Sequence, residues 1–181
     1  MRCWAQETST DLWRRLMDDI EDFLDHQSRT LVRPLDQLRM LGDDIGGCPE
    51  DEALERLRAV NRFCNETLLP LLAAHQTLLD PAVQGLSGGL EVDHAMGAER
   101  LRLRGFIATL GRRLEEGCFD VQARSALRRE LYLLHAVAGV YLARLRTLYL
   151  PLLLTRLDAD SERVLVEQLR RVSRECLLSP R

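Results

Sequence analysis

Four histidines are the side chains of this sequence best suited to chemistry: His26, His75, His94 and His135. A neutral imidazole titrates near working pH, so each is a candidate for proton transfer or metal ligation. Tyr141 adds a phenol able to bind a ferric ion or donate to a substrate, and Arg144 a charge able to pair with an acidic ligand. His75 stands within an apolar stripe, where an unpaired imidazole would cost about 1–3 kcal/mol. It is therefore either hydrogen-bonded in the core or part of a binding site. His94 shares a helix side with Ala98, Leu101, Gly105 and Ala108, small residues that admit a close helix or a ligand. His26 has Asp22 one turn before it and lies at the border of its stripe, and His135 lies at a flank, about 100° round from Leu134.

Other chemistries are closed. All 25 basic residues are arginine, which removes a Schiff-base lysine and a phosphate-loop lysine, and fits GC-rich coding DNA and a bacterial source. The five cysteines are scattered and contain no Cys-x-x-Cys pair, the pattern expected of reduced thiols and not of zinc. A net charge of −3 and a pI near 5.8 argue against a nucleic-acid partner. With no 18-residue uncharged run and a polar N-terminus, the expectation is a cytoplasmic chain with no membrane partner.

The elements that must position these residues repeat at helical period, with no alternating strand pattern. A first helix is expected over 10–42, with Leu12, Leu16, Ile20, Phe23, Leu31, Leu35 and Leu38 on its stripe and a kink or break at Pro34. A second covers 50–80, its face carrying Leu57, Val60, Cys64, Leu68, Leu71, His75 and Leu78. A third covers 91–116, presenting Leu101, Leu103, Phe106, Ile107, Leu110 and Leu114, with Gly117 placed to stop it. Asp120 is placed to cap a fourth that reaches Leu157, and Asp160 a short fifth carrying Val164, Leu165, Leu169 and Val172. The expected fold is all-α, a single domain over 1–181: an antiparallel four-helix bundle with a short C-terminal extra helix.

Helices two and four share an internal echo, Thr-Leu-x-x-Pro at Thr77–Pro81 and at Thr147–Pro151. Counted back from the prolines, Leu71 matches Tyr141 and His75 matches Leu145, each pair one helical turn apart. With the TLYLPLL ending and the Asp93-His94 opening of helix three, this echo resembles the hemerythrin-like, or HHE cation-binding, family over residues 23–170. The resemblance implies a bundle whose second and fourth helices each carry a His-x-x-x-Glu pair. A histidine from each of the other two helices would complete a di-iron centre. Carried onto this chain, the helix-two pair falls on Leu71 and His75, and the helix-four pair on Tyr141 and Leu145. Helix three keeps His94, and His26 is the candidate on helix one. Both bridging carboxylates are replaced, so an ordinary di-iron centre is not expected.

Three functions stay open on these residues. In the first, the bundle cavity, lined by Leu71, His75, His94, Tyr141, Arg144 and Leu145, binds a small organic molecule, a haem or a single metal. His75 would then serve as acid or base, and Tyr141 would orient the substrate. In the second, the chain is a non-catalytic helical module whose helix-five stripe meets a protein partner. In the third, His26, His75 and His94 form an altered metal site.

Overall fold

The computed structural model describes residues 20–86, 88–117 and 119–177, and every regular element among them is helical. Leu12 and Leu16 of the expected first stripe lie outside these residues, as do Cys3 and Cys118. Helix α1 is Ile20–Asp44 and buries Ile20, Phe23, Leu24, Gln27, Leu31, Leu35, Leu38 and Leu41. It runs unbroken through Pro34, where the sequence suggested a kink or a break. A proline within a helix costs about 3 kcal/mol. Burying Leu31, Leu35 and Leu38 on either side returns about 1.5–3 kcal/mol each, and the packing wins.

Helix α2 spans residues 50–84 and contains two π turns, Cys64–Leu68 and His75–Leu79. The amides of Leu69 and Asp80 donate five residues back, to the carbonyls of Cys64 and His75, and Pro70 and Pro81 follow immediately. A π turn adds one residue without advancing the helix by a full turn. It gives each proline ring room, and it brings Leu79 to the core in place of the expected Leu78, which is only half-buried.

Helix α3 is Gly89–Glu116, bounded by Gly88 and Gly117 at φ of 81° and 63°. Both lie in the left-handed region that glycine enters at no steric cost. Helix α4 is Val121–Arg156, capped by Asp120, whose Oδ1 accepts from the Ala123 amide at 2.7 Å. It repeats the α2 device: a π turn at Leu145–Tyr149, a bond from the Leu150 amide to the Leu145 carbonyl, then Pro151. By length and composition α4 is apolar enough to cross a membrane, although arginines and Glu130 interrupt it so that no 18 consecutive residues are uncharged. Helix α5 is Ala159–Leu177, and its cap is Asp158 and not the expected Asp160. The Asp158 carboxylate accepts from the amides of Asp160 and Ser161.

Cross-helix contacts give the chain directions. Asp44 meets Arg56 while Gln27 meets His75, so α1 and α2 are antiparallel. Gln84 meets Asp93 while Gln76 meets Arg104, giving the same relation for α2 and α3. Asp43 meets Tyr132 while Asp25 meets Arg146, so α1 and α4 are also antiparallel. Helices α2 and α4 run parallel, joined by His75–Tyr141 and Asp80–Tyr149. Helix α5 lies on α1 and α2, burying Leu165, Val166 and Leu169. The stripe expected to face a protein partner is therefore largely used inside the fold.

Candidate functional site

The interior is apolar except for a few buried polar groups, held in small hydrogen-bonded clusters to which all five helices contribute. His75 is fully buried. Its Nδ1 lies 2.8 Å from the Tyr141 hydroxyl and its Nε2 lies 2.9 Å from Gln27 Oε1. The His75 and Tyr141 rings stack with centroids 5.8 Å apart. Gln27 Nε2 reaches on toward Ser173 Oγ of α5 at 3.5 Å, a long bond. Arg100 of α3 donates to Asp80 and, at 3.5 Å, to Asp93, and its charge acts on the Tyr141 and Tyr149 hydroxyls. Tyr149 donates to the other oxygen of Asp80 at 2.6 Å. Beside this cluster, Glu99 accepts from Arg144 at 2.8 Å, tying α3 to α4.

Burial, and next the Arg100 charge, lowers the His75 pKa to about 3. At neutral pH the imidazole is uncharged and both its nitrogens are engaged. Burial, against the pull of Tyr149 and Arg100, pushes the Asp80 carboxyl up to about 6. Burial likewise raises the Tyr141 and Tyr149 hydroxyls above their ordinary range. An acid or base must exchange protons near working pH within reach of a substrate. His75 and Tyr141 do neither, so the catalytic roles expected of them do not suit this geometry. They act on what they hold in place.

Of the other expected site residues, Leu71 and Leu145 are buried as their register required, and Arg144 is half-buried against Glu99. His26 and His94 are both exposed and do not join His75. His94 lies at a cleft with Gln76, Asp80, Gln84, Asp93 and Arg100. Among the described residues, no three His, Cys, Asp or Glu side chains gather as metal ligands, so the proposed trio of His26, His75 and His94 is not assembled. The reason is register: the polar residue that α1 turns inward is Gln27, one position past His26, and on α3 it is Arg100. His135 sits at a flank as expected, 3.7 Å from Asp36.

Sequence reasoning passed over Gln27, Asp80, Glu99, Arg100 and Tyr149. Their signal was periodic. Arg100 continues the stripe Met96, Leu103, Ile107, Leu110, whereas Leu101, assigned to that stripe, is 72% exposed. Gln27 falls likewise between Phe23, Leu24 and Leu31 on the buried face of α1.

The residues at the hemerythrin-like ligand positions do not fit a di-iron centre. Leu71 and Leu145 offer no donor atoms, and His75 has no free nitrogen. The Arg100 guanidinium adds positive charge in the same interior. A cavity does exist beside the network, between α1, α2 and α5, lined by Phe23, His26, Gln27, Leu31, Leu71 and Ser173 among others. Its volume is about 100 Å³, enough for a handful of heavy atoms and too small for a porphyrin. No protein-family model, curated protein or solved structure matches this chain.

Proposed function

We propose that the chain is a hemerythrin-like bundle of four antiparallel helices carrying a fifth. Two buried hydrogen-bonded groups, Tyr141–His75–Gln27 and Tyr149–Asp80–Arg100, stand where that family holds its irons, and the protein binds a small, mostly apolar molecule in the cavity between α1, α2 and α5. The family assignment is supported by the alternating chain directions and by the matched π turns, each beginning six residues before its proline, at His75 and at Leu145. The four ligand positions on α2 and α4 are all buried, as such a site would require.

One observation carries the binding role: the cavity has apolar walls at Phe23, Leu31 and Leu71, and polar groups at Gln27, held by His75, and at Ser173, His26, Thr30 and Thr67. Apolar walls with a few fixed polar groups are the usual make-up of a ligand site. His75 and Tyr141 then serve as positioning residues for Gln27.

Metal analysis, an absorption spectrum and a ligand titration test the proposal together. The purified protein is expected to hold far less than one iron per chain and to show no Soret band. Titration with 2-butanone is expected to shift the side-chain resonances of Phe23, Leu31 and Leu71, and Leu71→Trp, which fills the cavity, to abolish the shifts. Stoichiometric iron would restore the metal-site reading. An unresponsive cavity would remove the ligand-binding one.

A further inference from the structure

We infer that two copies of this chain associate through the outward face of α4, packed antiparallel about a two-fold axis at Ala143. The inward side of that helix buries Leu131, Leu134, Ala138, Tyr141 and Leu145. The opposite side shows Leu133, Ala136, Val140, Ala143, Thr147 and Leu154; Leu133 is half-buried and the others are exposed, Val140 by 44% and Leu154 by 45%. From Leu133 to Leu154 this side extends for about 30 Å. Arg144 and Arg146 fall within that length, yet they are drawn to either flank, to Glu99 at 2.8 Å and to Asp25 at 2.9 Å. Thr147 turns its hydroxyl back to the Ala143 carbonyl, so its polar group is satisfied within the helix. A continuous apolar face of this length marks an interaction surface.

The symmetry of the face selects its occupant. Leu133, Ala136 and Val140 stand 10, 7 and 3 residues before Ala143, and Leu154, Pro151 and Thr147 stand 11, 8 and 4 after it. The surplus residue on the second side is the one that the π turn at Leu145–Tyr149 adds without a matching advance. The two halves are therefore about equal in length. A second α4 running the opposite way sets Leu133 against Leu154, Ala136 against Pro151 and Val140 against Thr147, with the two Ala143 side chains meeting at the centre. Small central residues let the helix axes approach closely. The charges obey the same rule. Arg129 stands 14 residues before Ala143 and Asp158 stands 15 after it, both exposed, so each end of the pair sets an arginine against a carboxylate of the other copy. A patch that is its own complement is what a two-fold dimer requires. A lipid surface fits less well, because Asp25, Asp36 and Asp43 of α1 border α4 at Arg146, His135 and Tyr132 and would face anionic headgroups.

Sedimentation equilibrium of the full chain tests the inference. None of these residues lines the cavity between α1, α2 and α5, so the result is separate from ligand binding. The native protein is expected at twice the 20.7 kDa of one chain. Ala143→Glu, which opposes two like charges at the axis, is expected to sediment as one chain with an unchanged circular dichroism spectrum. Arg129→Glu is expected to weaken association about tenfold, since the axis doubles every change, and Arg112→Glu on α3 to leave it unaltered. A native protein that sediments as one chain overturns the inference, as does a dimer that survives Ala143→Glu. So does equal behaviour of the two arginine variants, which would remove the antiparallel register. A single chain that floats with phosphatidylcholine–phosphatidylglycerol vesicles also overturns it, and would make the face a lipid surface.

Discussion

Arg100→Met is the sharpest test of the interior. The side chains of Arg100 and Asp80 are 4% and 7% exposed, so the pair is buried together, and methionine fills most of the lost volume. The substitution leaves Asp80 with the Tyr149 hydroxyl as its remaining donor. Removing one member of a buried pair costs about 3–5 kcal/mol, because the other charge is stranded. A chain of this size loses about 2–4 °C of melting temperature per kcal/mol, so a fall of roughly 6–20 °C is expected at pH 7.

The pH dependence gives the mechanism its own signature. A carboxyl whose folded pKa stands above its unfolded one binds protons better in the folded state, so its contribution to stability grows as pH falls. For Asp80 in the native protein that window runs from about 6 down to the ordinary value of 3.8. Without Arg100 the folded pKa rises further and the window opens earlier. The deficit of Arg100→Met is therefore largest above neutrality and shrinks towards pH 4. Adding Asp80→Asn, which has no charge to strand, should recover part of the loss at pH 7. Urea denaturation followed by far-ultraviolet circular dichroism, repeated between pH 8 and 4, measures all of this. A loss below about 1 kcal/mol, or a deficit flat across that range, would refute the claim that Asp80 is a buried charge held by Arg100.

Three further outcomes follow from local geometry. Tyr141→Phe leaves His75 Nδ1 buried without its partner and should cost about 1–3 kcal/mol in the same denaturation assay. Asp120→Ala removes the side-chain cap of α4 and should cost about 1 kcal/mol. Cys64 is fully buried, and burial pushes its thiol up to about 12, so it should react with a disulfide reagent only when the protein opens. Labelling of Cys64 as fast in native protein as in urea would show that the interior of α2 is not closed.

The helices were legible because their signals are local. Gly117, Asp120 and the polar loops act on the residues beside them, and they end or start helices where expected. The echo before Pro81 and Pro151 was also legible, and it marks paired π turns. What failed to show was which polar residue faces inward. Leu101 was expected on the apolar stripe of α3 and Glu99 and Arg100 were passed over, yet Glu99 and Arg100 are buried and Leu101 is not. The deciding facts are partners on other helices: Asp80 for Arg100 and Arg144 for Glu99. No pattern within α3 contains them. Histidine drew attention on α1 by its chemistry, whereas the helix turns its neighbour Gln27 to the core. A side chain's reactivity says nothing of its register.

The network also bears on the order in which the molecule assembles. Its bonds join residues far apart in the chain: His75 to Tyr141 across 66 positions, Asp80 to Tyr149 across 69, and Gln27 to Ser173 across 146. None can form until helices well separated in the chain have docked, and the bond from Gln27 to Ser173 must wait for α5. We predict that these contacts are made after the folding barrier is crossed. Substitutions within the network should therefore leave the refolding rate nearly unchanged and accelerate unfolding instead. The buried polar cluster acts as a late-closing latch, setting how long the native molecule lasts more than how quickly it is reached.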